Sequence, residues 1–231
     1  MSDKTIDKVK EQCLELILNV MPVSQLVFIF FMAVTFDQIL NKKAVSPLKV
    51  FSHLGIEDLI GVKGGLFWSV GILTIGGAFI LAMLNTFILK RGLKFSFAVS
   101  KVSDKITSWE AAARIAVDGL SLEEKAAVQK SVSVELDKRV KKYLAKRMLA
   151  ELMCSIFSCV FFGSIFLIAL NYNDLGKINF SLSDFIVAIF SLVIWLTLHR
   201  NSVRYAISRI IPLQIFLSSA SGEVAFFIDT E

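Results

Sequence analysis

The chain has 231 residues, 55% of them hydrophobic, with twenty phenylalanines and a net charge of +5. Soluble globular domains run at about 45–50% apolar, so this composition, with a mean hydropathy of +0.67, sets the chain apart from an ordinary soluble domain and points to membrane-spanning helices. The three cysteines, Cys13, Cys154 and Cys159, show no CxxC spacing, which argues against a disulfide scaffold or a zinc site.

Residues 1–19 mix both signs of charge, and no small-residue cleavage site follows the first apolar run, so no cleavable leader is expected. Ile6, Val9, Cys13, Leu16 or Ile17, and Val20 recur at helical spacing and predict an amphipathic helix at the membrane surface. A first span follows at 20–40, with Pro22 in its first turn and Asp37 and Gln38 near its far end. The connection 41–65 holds Pro47, His53, Gly61, Gly64 and Gly65 and suits a small cap or a partly re-entrant turn. The second span, 66–89, has no charged side chain over a length that exceeds the roughly 30 Å of bilayer hydrocarbon. The third, 149–170, carries only Glu151. A fourth, 180–198, has a short uncharged stretch, 185–198, with Asp184 close to one end, where a carboxylate can reach the headgroups.

Charge asymmetry settles the fourth crossing. Residues 90–147 hold fourteen Lys and Arg, and Arg200, Arg204 and Arg209 follow the last span. With both termini and the middle region in the cytosol, twenty basic residues lie inside and five outside, as the positive-inside tendency requires. The expected class is all-α: a four-helix transmembrane bundle with a helical cytosolic excursion between spans two and three. The expected parts are 1–19, the pair 20–89, the basic region 90–148, the pair 149–198 and the tail 199–231.

Within the basic region, Thr107-Ser108-Trp109-Glu110 fits a capping box and predicts a short helix over 109–118, ending at Gly119. Ser121-Leu122-Glu123-Glu124 fits a second box. Neither Gly nor Pro recurs until Gly163, so one helix is expected from Leu122 through the third span. Val128, Val132, Leu136, Val140 and Leu144 form an apolar stripe on it, and such a stripe needs a partner. The partner is the Trp109 helix, another copy of the chain, or a different protein. Lys138, Arg139, Lys141, Lys142, Lys146 and Arg147 cluster just before the third span, where anionic headgroups are the expected contact, at about 1 kcal/mol per residue. No aromatic interleaving or nucleic-acid motif accompanies them, so direct nucleic-acid binding is not expected. Beyond Pro212, which is expected to interrupt the helix, the apolar segment 224–228 in a polar tail predicts docking.

The ionisable residues of the spans, Asp37, Glu151 and Asp184, fall near span ends rather than at the midplane. Small residues recur every fourth position, as Thr74, Ala78 and Ala82 and as Ser155, Cys159 and Gly163, and predict close contact between spans two and three or between copies. No catalytic motif is present, and His53 and His199 fall on opposite sides in this topology, so neither an enzyme nor a cofactor or metal site is expected.

A span pair, a basic excursion of about 59 residues, a second span pair and a cytosolic tail make a layout similar to that of the KwaA family. These are the four-span membrane subunits of bacterial Kiwa anti-phage systems. The resemblance covers the whole chain and rests on layout and size, so no site residue is carried over. It implies an inner-membrane sensor or scaffold acting with a cytosolic, DNA-binding partner of the KwaB kind. The layout also looks like that of stator-type ion channels of the MotA class, from which it departs in its shorter excursion. An oligomeric channel or depolarising pore is accordingly the alternative to the sensor.

Overall fold

The computed structural model describes residues 22–42, 46–48, 71–100, 102–172 and 180–220. Among them the regular structure is helical: α1 (Pro22–Lys42), α2 (Ile72–Val99), α3 (Val102–Asp118), α4 (Leu122–Leu170), α5 (Leu182–Tyr205), a π-turn (Ala206–Ile210) and α6 (Ile211–Ala220). The expected surface helix at 1–19, most of the connection 41–65 with His53, and the apolar tail segment 224–228 lie outside the described residues. Among the described residues, three helical stretches are long and apolar enough to cross a membrane: Thr74–Val99, Leu122–Leu170 and Leu182–Ala220. Ser24–Leu40 is a shorter apolar helix.

The chain divides into two compact units. An apolar unit comprises Val20–Leu89 and Met148–Thr197, and a basic unit comprises Met1–Asn19, Lys90–Arg147 and Leu198–Glu231.

In the apolar unit α1 is the central element. Met32 through Ile39 are all buried, as in a helix covered on every side. The two ladders of small residues explain how neighbours come that close. Ala78 and Ala82 of α2 and Cys159 of α4 share one core cluster with Phe28, Met32, Ala33 and Phe36 of α1. A Cβ added at Gly163 would stand 3.1 Å from the Thr35 methyl and 3.2 Å from Pro47, so only glycine fits without movement. Ser24 meets Glu151, while Thr35 meets Gly163, so α1 and this part of α4 run parallel. Phe36 lies against Gly77, while Asn85 meets Ser158, which makes α2 antiparallel to both. The outward faces are apolar, with Ile80, Met83, Phe87, Ile189 and Phe190 exposed.

The basic unit has a larger-grained core: Leu93, Phe97, Ile106, Tyr143, Ile207, Ile210, Ile211 and Ile215. The helix α3 begins at Val102, ahead of the expected start at Trp109, and Thr107 and Ser108 lie inside it. The reason is tertiary. Val102, Ile106, Glu110, Ala113 and Val117 are buried at steps of three and four, and that stripe carries the helix through the apparent cap. Ser108 instead donates to the Lys105 carbonyl at 2.8 Å. The second box forms as expected: the Ser121 amide donates to Glu124 Oε2 at 2.8 Å, and the Glu124 amide to Ser121 Oγ at 3.4 Å. From there α4 runs 49 residues without a break, about 74 Å at 1.5 Å per residue.

Pro212 does not interrupt the last helix. The chain accommodates it with the π-turn, in which the Ile211 amide donates to the Ala206 carbonyl, and the helix continues to Ala220. Proline removes one donor and crowds the preceding turn, and the wider π-turn relieves the crowding. Arg139 of α4 donates to the Arg209 carbonyl at 3.2 Å beside it.

Candidate functional site

Polar side chains of the apolar unit converge in two places. On α4, residues 151, 154, 155 and 158 share one helix face. Ser24 Oγ donates to Glu151 Oε2 at 2.7 Å, and Ser155 Oγ donates to the Glu151 carbonyl at 2.9 Å. Further along, Asn85 Oδ1 accepts from Ser158 Oγ at 3.0 Å and from the Cys154 thiol at 3.8 Å. Cys154 and Cys159 are both buried free thiols.

The second place is Asp184. It is 2% exposed, so it does not reach outward to headgroups. Its carboxylate accepts from Ser46 Oγ, from the Leu48 amide at 3.1 Å and from the Ser181 amide at 3.0 Å. The Ser181 contact closes the first turn of α5. The other two contacts pin residues 46–48, whose Ser46 and Pro47 are fully buried. Sequence alone gave Asp184 a span-end position; its long-range partners lie 136 and 138 residues away and leave no local signal.

In the basic unit, Lys138, Lys141 and Lys142 are exposed, Arg139 and Lys146 half-buried, and Arg147 buried. Arg139 pairs with Glu135 at 2.7 Å and Lys141 with Asp137 at 2.8 Å. The hydrogen bond from Arg139 holds the Glu135 carboxyl below its ordinary range. Lys146 sits 4.6 Å over the Tyr205 ring. Lys90, Arg91, Lys94, Arg200, Arg204 and Arg209 add exposed charge to the same unit.

Of the apolar stripe, Leu136, Val140 and Leu144 pack against the unit's own core beside Trp109. Part of the stripe is thus covered within its own unit. Val128 and Val132 are half-buried, while Ile115, Leu122 and Val134 are exposed.

One pair escaped the sequence reading: His199 Nε2 lies 2.9 Å from Ser96 Oγ. The serine hydroxyl donates to the Gly92 carbonyl at 2.9 Å. The hydroxyl thus has two acceptors within reach, the Gly92 carbonyl and the imidazole, and the histidine tautomer sets which one takes its proton. Among the described residues no cluster of three or more His, Cys, Asp or Glu could hold a metal. No family model, no curated protein and no solved structure matches the chain.

Proposed function

We propose that the chain is a non-enzymatic, four-span inner-membrane sensor or scaffold with both termini in the cytosol. On this reading the apolar unit lies in the bilayer, the basic unit lies in the cytosol, and a soluble partner receives the signal. The observation that carries it is the contrast of surfaces: apolar residues cover the outside of one unit, and Lys and Arg are exposed over the other. Lys138, Lys141 and Lys142, with Lys146 and Arg139 beside them, are the groups offered to anionic headgroups. Arg147, expected among them from its place in the sequence, is buried at 3% exposure. Ile115, Leu122 and Val134 stand exposed in a charged unit and favour a protein partner, either another copy or a KwaB-like protein. Bacterial anti-phage defence is the setting that the resemblance in layout suggests.

Mild-detergent purification of the tagged chain from its native operon, with mass spectrometry of what co-elutes, tests this reading. A stoichiometric soluble partner is expected; the chain purifying without one would overturn it.

The second reading is an oligomeric channel, favoured by the burial of Asn85 and Thr74 inside the apolar unit. It predicts conductance from reconstituted protein that changes in Asn85→Ala. Tight vesicles would exclude it.

A further inference from the structure

We propose that a recess between α1, α4 and residues 46–48 binds one hydrocarbon chain of a membrane lipid. The recess has a volume of about 200 Å³. Thr35, Pro47, Cys159 and Val160 form its buried floor, and the half-exposed Phe31, Leu48 and Ile156 its mouth.

Its walls are hydrocarbon and one thiol, with a single hydroxyl among them. That hydroxyl, Thr35 Oγ1, donates to the Phe31 carbonyl at 2.7 Å and so makes no demand on an occupant. Water needs two to four polar partners to settle in a cavity, and apolar cavities of about 150 Å³ stay dry and take up benzene-sized molecules. The recess is larger than that and offers water almost nothing.

Two features keep the recess from closing. Pro47 is wedged against Gly163, and residues 46–48 are tied to the buried Asp184 through Ser46 and the Leu48 amide. The wall formed by residues 46–48 is thus fixed by hydrogen bonds that a packing rearrangement would have to break. Along the helices the slot runs from Phe31 to Thr35 and from Ile156 to Val160, one turn on each, or about 6 Å. A slot one turn tall between two apolar helices fits a segment of acyl chain entering from the side. This inference rests on the reading that α1 and α4 lie in a bilayer.

The test uses the full chain in nanodiscs containing a phospholipid with a diazirine at mid-chain, and photoadducts mapped by mass spectrometry. Adduct yield per residue at Phe31, Leu48 and Ile156 is expected to exceed that at the outward-facing Ile80, Phe87 and Phe190 several-fold. Ile156→Trp, and separately Leu48→Trp, should fill the mouth and bring the remaining recess positions down to the level of the outward faces. Equal yields at recess and faces in the unmodified chain would overturn the proposal. Protein–protein cross-links at the recess in place of lipid adducts would also overturn it and give the site to a second copy. Absence of adducts from the outward faces as well would instead remove the bilayer reading on which the inference stands.

Discussion

The basic unit and the apolar unit share the same helical geometry and are held together differently. In the basic unit, large side chains converge: Ile106, Tyr143, Ile210, Ile211 and Ile215 are all at most 2% exposed. In the apolar unit the contacts between helices run through Ala78, Ala82, Gly163 and the serines at 24 and 158, with the bulky residues divided between the centre and the outside. On the proposed membrane reading, the difference follows from the solvent each surface is built for. Burying a large apolar side chain away from water contributes about 1.5–3 kcal/mol. Between lipid-exposed helices that gain is absent, and close backbone approach and hydrogen bonds replace it.

The hardest test of this contrast is a pair of truncations. Ile106→Ala should destabilise the basic unit by about 2–5 kcal/mol, seen as lost amide-exchange protection in α3. Phe190→Ala on an outward face should change stability in nanodiscs by no more than about 0.5 kcal/mol. Equal losses would remove the distinction between the units.

Asp184→Ala sharpens the polar half of the comparison. It leaves Ser46 and two backbone amides without their acceptor, and hydrogen bonds to a charged group contribute about 1.5–3 kcal/mol each in favourable cases. The expected outcome is freed protease cleavage near Pro47 with the basic unit unaffected. Gly163→Leu should cost about 1–3 kcal/mol by overpacking against Thr35 and Pro47. The measurement is thermal unfolding in detergent, with Gly92→Leu as a control, since a Cβ at Gly92 meets nothing within 4 Å.

The smallest effect belongs to the exposed cap of α4. The Ser121 amide, then its hydroxyl, hold the Glu124 carboxyl below its ordinary value of 4.5. A depressed folded pKa means that this contribution is present above about pH 4.5 and fades as pH falls through the lower folded value. Exchange protection in the first turn of α4 should therefore drop at acid pH, and Glu124→Gln should remove that part of the pH dependence.

The helical class and the long uninterrupted α4 were legible because a strong cap at Ser121 and the absence of Gly or Pro up to Gly163 are local facts. The small-residue ladders were legible for the same reason, but the contact expected between spans two and three gives way to one shared with α1, which Ala78, Ala82, Cys159 and Gly163 meet. What sequence could not supply was long-range. The start of α3 depends on a buried stripe that overrides the apparent cap at Thr107. The apolar stripe of α4 is covered in part by its own unit's core, and nothing at those positions says so. The Ser96–His199 contact and the partners of Asp184 join residues more than a hundred positions apart. Pro212 read as a stop because a proline ends most helices; the π-turn before it is decided by the packing of Ile207, Ile210 and Ile211.

That turn also sets where the chain can change length. Core residues at 203, 207, 211 and 215 recur at steps of four, and on a plain α-helix each such step drifts about 40° around the axis. The π-turn underwinds the helix and absorbs part of that drift, holding one surplus residue within Ala206–Ile210. Removing one residue there would let the turn close to α geometry, with Ile211 and Ile215 still directed at α3. The same deletion at 190 would rotate everything downstream by about 100°. Among related chains, length variation in this helix should therefore collect at the π-turn and spare its flanks.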